Sequence, residues 1–326
     1  MPSSSTCVEP LASVRHGLAA PRPVPAIRTE RTACPLCDSD DAELVFVGRD
    51  HNFGFAGEFP VERCRRCDLL YSNPHVTADS LPAYFDEDYQ AHDPAVTVDP
   101  PCNTRRAARR RGADDVVRPF GQARLLDLGC GNGRFMERMR AAGWSVLGID
   151  PIARAIESCR AAGLDAMQGT IPGVELVGRR FELITLRGVL PALSDPRTTL
   201  SELRRLVTDD GRLMVNLFSA DSLMARWTGA QWLGFDLPRQ RCHYTRVTLS
   251  RLFEATGWHI ERTRFARRPN LVRRNVRLMA AVTGRASWRM AAGLGVVPSV
   301  IATVGAWLRK SDEIHAVARP AAASHR

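Results

Sequence analysis

The sequence predicts an α/β fold, a largely parallel sheet with crossover helices, preceded by a small cysteine-bearing unit. Three observations carry this expectation. Strand and helix patterns alternate over residues 103–318, a glycine-rich turn joins the first strand of that series to its helix, and two CxxC pairs come before it. With 326 residues, 44% of them hydrophobic, the chain can bury one full α/β core and fold a small accessory unit besides.

Residues 1–32 are rich in Pro, Ala, Ser and Arg and lack apolar periodicity, so they read as a disordered leader. No basic start followed by an apolar run marks them as a signal peptide. The cysteine unit spans 33–75, and an Asp- and Pro-containing linker follows over 76–102. In the main domain, 103–318, the pattern predicts an Arg-rich helix at 105–117 and strands at 124–128, 145–149, 164–168, 181–186, 212–218, 258–265 and 313–318. Helices are predicted at 134–142, 152–162, 197–207 and 248–256, and residues 319–326 read as a loose tail.

The net charge of +10 comes almost wholly from arginine, with lysine only at Lys310. That skew reads as genomic base composition, and no nucleic-acid partner is expected from it. Nine cysteines in a chain of this length, without a secretion signal, suggest reduced thiols in the cytoplasm. Metal binding is then the first use to consider.

Cys34 and Cys37 form one CxxC pair and Cys64 and Cys67 the other, with 26 residues between the pairs. Two tight turns of this kind bring four thiolates onto one tetrahedral ion, with Zn–S bonds of about 2.3 Å. Short strands at 44–47 and 54–61 between the pairs complete the pattern of a zinc ribbon. Four protein ligands leave no open position, so the predicted Zn2+ is structural, and it supplies folding energy to a unit too small for a core of its own. Cys7, Cys102, Cys130, Cys159 and Cys242 lack paired spacing.

The strongest chemical signal is the turn after the first strand of the main domain, Asp127-Leu128-Gly129-Cys130-Gly131-Asn132-Gly133. Gly129, Gly131 and Gly133 let the backbone turn sharply and approach a ligand, and the following helix offers free N–H groups. A dinucleotide fingerprint has its third glycine one residue later, where Arg134 stands here. Asp150 ends the second strand, 23 residues after Asp127, where a carboxylate can accept both hydroxyls of a ribose.

The Asp-x-Gly-x-Gly-x-Gly turn resembles motif I of the class I S-adenosylmethionine-dependent methyltransferases. The order of ribbon, linker with Tyr84, Phe85 and Tyr89, then motif I resembles a bacterial zinc-ribbon group of that class, associated with small molecules and often with sugars. The resemblance implies a Rossmann-like sheet with helices on both faces, preceded by the ribbon. S-adenosyl-L-methionine would be held by Asp127, Gly129, Cys130, Gly131, Gly133, Asp150, Gln168 and Leu186. The group's Glu-His pair after the fourth strand is replaced here by Pro191 and Ala192, and Thr170 stands where an acid often meets adenine. Residues 227–244 also resemble the group and place Arg239 as an anion contact and His243 as a general base, with Trp227, Trp232 and Phe235 as an acceptor wall. The function implied is methylation of a small-molecule acceptor, a sugar or lipid-linked glycan intermediate. An RNA base methyltransferase and a cofactor-binding scaffold without catalysis are the alternatives.

Residues 262–311 contain ten arginines and no acid, and 290–308 is a run of 19 residues without charge. A transmembrane passage is not expected, because the chain must return to the sheet. The segment reads either as a helical cap or as an interfacial element at the inner face of the membrane, contacting its surface.

Overall fold

A computed structural model describes residues 22–24, 27–85 and 123–321. The predicted helix at 105–117, Tyr89 and most of the linker lie outside the described residues.

The main sheet has seven strands: β6 (Arg124–Leu128), β7 (Ser145–Asp150), β8 (Ala166–Gln168), β9 (Phe181–Arg187), β10 (Val207–Phe218), β12 (Trp258–Ala266) and β13 (Glu313–Pro320). Their spatial order is β8-β7-β6-β9-β10-β13-β12. The strands β6 to β10 pair in parallel, and β13 runs antiparallel to both neighbours. Strands β6, β7 and β9 are nearly continuous apolar runs because both sheet faces are covered.

On one face Leu125 and Leu183 pack with Phe135, Met136 and Met139 of α1 (Arg134–Ala141) and with Ile156 and Cys159 of α2 (Ala153–Ala161). On the other, Leu126, Ile184, Leu186 and Val215 meet Leu200 and Leu203 of α3 (Pro196–Leu206). Leu249, Leu252 and Phe253 of α5 (Arg246–Ala255) join the same cluster. The short helix α4 (Leu223–Thr228) lies between β10 and α5.

The ribbon is a second sheet, ordered β11-β4-β3-β2. Its first three strands in sequence are β2 (Ala42–Gly48), β3 (Phe59–Cys64) and β4 (Leu70–Ser72), so the run expected from residue 54 becomes a strand only at Phe59. The fourth, β11 (Cys242–His243), comes from the main domain and pairs antiparallel with β4. Cys34, Cys64, Cys67 and Tyr71 share one core cluster with Leu186 and Phe253. The ribbon is therefore built into the main domain, and 33–75 is not a self-contained unit.

Both predicted ends need correction. Thr29–Glu30 (β1), assigned to the leader, pairs with His75–Val76 (β5), and Arg319 and Pro320, assigned to the tail, pair with β12. In each case a partner strand supplies backbone hydrogen bonds to residues whose composition alone promised none. The insertion between β12 and β13 forms α6 (Pro269–Thr283), α7 (Ala286–Gly293) and α8 (Val297–Trp307). Residues 262–266, counted with it, belong to β12. Val272 and Val276 of α6 pack in one cluster with Trp232, Phe235 and the ribbon residues Phe59 and Val61.

Candidate active site

The site is built at the C-terminal edge of the parallel strands. After β6 the amides of Gly129 and Cys130 both donate to the Ile149 carbonyl, at 2.7 and 3.2 Å, which folds the loop back over β7. Gly129, Gly131 and Gly133 all have positive φ, at 70°, 53° and 78°. A Cβ on Gly133 would come within 2.9 Å of Cys159 Sγ, and one on Gly129 would strike Val189, so glycine is required at both. The loop stays open as a backbone cradle at the start of α1.

Two carboxylates flank it. Asp150 is buried and accepts the Gly131 amide on Oδ2 at 3.0 Å and the Ile152 amide on Oδ1 at 2.9 Å. Each oxygen keeps a second lone pair for a hydroxyl donor. Asp127 is buried at the end of β6 and accepts a hydrogen bond from Thr185 Oγ1 at 2.5 Å. Burial pushes its carboxyl up to about 6, although the Arg187 charge and the Thr185 hydrogen bond oppose the rise. A ligand with an ammonium at one end and a vicinal diol at the other matches these two acids and the cradle between them.

Other predicted cofactor residues contribute less than expected. The Cys130 thiol faces Cys159 Sγ at 3.9 Å under the loop, so this residue offers the cradle only its backbone. Leu186 points into the core on the sheet face opposite Asp127. Gln168 is exposed and donates from Nε2 to the Pro151 carbonyl at 3.2 Å, while Thr170 Oγ1 donates to Pro172.

The predicted acceptor residues are placed differently, and both assignments are corrected. Arg239 is 1% exposed and bidentate to Asp50, through Nη1 at 2.9 Å and Nη2 at 2.7 Å, with Asp236 bound to Nε and Nη2 as well. Two carboxylates already occupy the guanidinium, which ties residues 227–244, the lid, to the ribbon and leaves no face for an anion. His243 lies in β11 with the Phe235 ring 4.9 Å away. Burial drives its imidazole down to about 3, and Nε2 has no hydrogen-bond partner among the described residues. An imidazole buried this way does not reach an acceptor. Trp232 and Phe235 form the lid core, Trp232 Nε1 donating to Asp312 at 3.1 Å, and only Trp227 of the three faces solvent.

A group that sequence reasoning missed stands at the same edge. Arg187, Asn216, His315 and Arg264 occupy one row across β9, β10, β13 and β12. His315 Nε2 is 2.7 Å from Glu313 Oε1, which also accepts from Asn216 Nδ2 at 3.1 Å and Arg268 Nη2 at 2.7 Å. Burial raises the Glu313 carboxyl, but the hydrogen bonds from His315 and Arg268 outweigh it and hold it at about 2. The imidazole keeps 23% of its surface open. The spacing Glu313-x-His315, two residues on one face of a strand, was the available signal.

At the ribbon, Cys34 and Cys67 bring their sulfurs to 3.4 Å and Cys37 and Cys64 theirs to 3.5 Å, and all four sulfurs lie within 4.8 Å of one another. Tetrahedral bonds of about 2.3 Å imply sulfur separations of about 3.8 Å. The knuckles repeat one turn. The Asp38 and Asp68 amides donate to Cys34 and Cys64 carbonyls, and both aspartates are left-handed, at φ 58° and 63°. The residues fit a four-thiolate zinc.

The sheet order and the acid-flanked glycine cradle are those of the Rossmann-like methyltransferase fold. Residues 103–263 match the family model described as a methyltransferase domain. The chain is 29% identical over 129 residues to a ubiquinone biosynthesis O-methyltransferase of Cereibacter sphaeroides, covering 37% of this chain and 52% of that one. It is 33% identical over 128 residues to a malonyl-[acyl-carrier protein] O-methyltransferase of Erwinia billingiae, covering 39% and 50%. It thus spans about half the length of the curated relatives it matches. A solved TehB-like methyltransferase from Corynebacterium glutamicum, 17% identical, covers 62% of this chain and 82% of its own with a TM-score of 0.40.

Proposed function

We propose that the protein transfers the methyl group of S-adenosylmethionine to an oxygen of a small-molecule acceptor. The observation that carries this reading is the cradle of three positive-φ glycines between Asp127 and Asp150. Asp150 would hold the ribose hydroxyls and Asp127 the ammonium of the methionine part. The bound cofactor supplies a methyl already activated on a sulfonium, so alignment of the acceptor is most of what the protein must add. The relatives named above, both O-methyltransferases, support oxygen as the acceptor atom. The sugar or lipid-linked glycan acceptor is the finer form of the proposal and rests on the ribbon-first organisation.

A hydroxyl acceptor must lose its proton, and His243 cannot take it. We assign that role to His315, held by Glu313 in the manner of a histidine oriented by a carboxylate. A structural zinc on Cys34, Cys37, Cys64 and Cys67 belongs to the same reading. The scaffold alternative draws on Pro191 and Ala192 in place of a Glu-His pair, and their turn is packed against the lid, the Pro191 carbonyl accepting from the Arg241 amide. The deciding experiment is transfer of labelled methyl from the cofactor into fractionated cell extract. Turnover that falls at least a hundredfold in His315→Ala, with cofactor affinity unchanged, supports the reading. Cofactor binding without label in any fraction would leave the scaffold reading in its place.

A further inference from the structure

Helices α7 and α8 are too short to cross a bilayer, at 8 and 11 residues, and they bend by 96° at the break between them. No single helix among the described residues is long and apolar enough to cross. Their outer surface is nevertheless apolar. Met290, Leu294, Val296, Val300, Val304 and Trp307 are exposed, Trp307 at 81%. From the N-cap Val296 along α8 the outward residues follow at spacings of four, four and three, one continuous stripe, while Pro298, Ala302 and Gly305 face inward. A helix apolar on both sides, with its small residues packed on the protein, leaves the larger ones for another apolar phase.

Charge identifies that phase. Arg285 and Arg289 at α7 and Arg309 just after α8 are exposed, and no ion pair binds them among the described residues. There is no acid anywhere from 262 to 311. A second copy of the chain is a poor occupant, because a two-fold contact would set these arginines against themselves. A bilayer with anionic headgroups matches both parts, apolar side chains and tryptophan entering the boundary while arginines reach phosphates. Arg274 takes no part: it turns inward and donates to Asn52 Oδ1 at 3.1 Å.

We propose that α7 and α8 form an interfacial element that seats the protein on an anionic membrane surface. The insertion springs from the end of β12 and returns at the start of β13, on the sheet edge that carries the glycine loop. Docking therefore turns the cofactor cradle's edge toward the bilayer. Docking itself is independent of methyl transfer; that the acceptor is an amphiphile drawn from that surface rests on the function proposed above.

The test is flotation with vesicles of phosphatidylcholine, with and without one-third phosphatidylglycerol. Wild type should float with the anionic vesicles at low salt and be released by high salt. Each arginine near the surface changes affinity about fivefold, so Arg285→Gln, Arg289→Gln and Arg309→Gln together should weaken binding on the order of a hundredfold. Trp307→Ala should abolish the blue shift of tryptophan emission that vesicles induce in wild type. Calorimetry with S-adenosylmethionine shows that the variants remain folded, and it reports on the cofactor reading separately. Wild type that stays unbound, or a triple variant that floats as well as wild type, overturns the proposal. A dimer seen by light scattering without lipid, and lost in Trp307→Ala, overturns it in favour of self-association.

Discussion

The glycine loop and the lid at 227–244 carry the same kinds of residue, acids and polar groups near glycines, and the two use them in opposite ways. Asp150 is held by the Gly131 amide of the loop it serves, 19 residues away, and by the Ile152 amide two residues on, and each oxygen retains acceptor capacity. Arg239 is held by Asp50, 189 residues away, together with nearby Asp236, and its donors are consumed. A site made of local backbone keeps its ligand capacity after folding. A charged residue whose counter-charge comes from a distant segment becomes an anchor.

The sharpest way to break this comparison is at the ribbon. Cys64→Ser should release zinc, and because β11 and the lid complete the ribbon sheet, the loss should spread into residues 236–244. Zinc-folded peptides bind their metal with about 10–16 kcal/mol, which bounds the effect from above. Elemental analysis together with hydrogen exchange at Cys242–Tyr244 would check it, and full protection there in metal-free protein would show that the lid stands alone. Next in size is Arg239→Ala, which leaves Asp50 buried without its partner and should destabilise by about 3–5 kcal/mol. Denaturant titration measures this; if Arg239 were instead an acceptor contact, stability would hold and turnover alone would fall.

Asp150→Ala should weaken S-adenosylmethionine binding by about 1.5–3 kcal/mol, the scale of hydrogen bonds to a charged group. Unchanged affinity in calorimetry would remove the carboxylate from the cofactor site. The smallest effect is a pH dependence. Asp127 titrates at about 6 in the free protein, above its unfolded value, so its ionisation lowers stability as pH rises from about 4 to about 6. An ammonium bound beside it favours the carboxylate. Cofactor affinity should then be flat above about pH 6 and fall by up to tenfold per unit below it. Asp127→Asn should flatten the curve.

The strands and helices around the cradle were legible because their signals are local: Asp127, the three glycines and Asp150 fall within one strand-turn-helix-strand unit. The knuckles were legible for the same reason. The fate of His243 was not, since its burial depends on β4, at Leu70, closing over it from far upstream. His315 escaped notice because its neighbours Asn216 and Arg187 are set by strand order, which no spacing along the chain records. Thr29 and Glu30 looked like part of a leader until β5 gave them a partner.

The pairing of Cys242 with Tyr71 has a consequence for synthesis. The three N-terminal strands of the ribbon leave the ribosome about 170 residues before the fourth is made, a delay on the order of ten seconds or more at ordinary elongation rates. Through that interval the outer edge of β4 carries unpaired backbone groups on a nascent chain, the arrangement that invites pairing with a neighbour. Its length of three residues gives a foreign strand little to grip. Metal can close the knuckles early, but the sheet is finished only when Cys242 and His243 arrive.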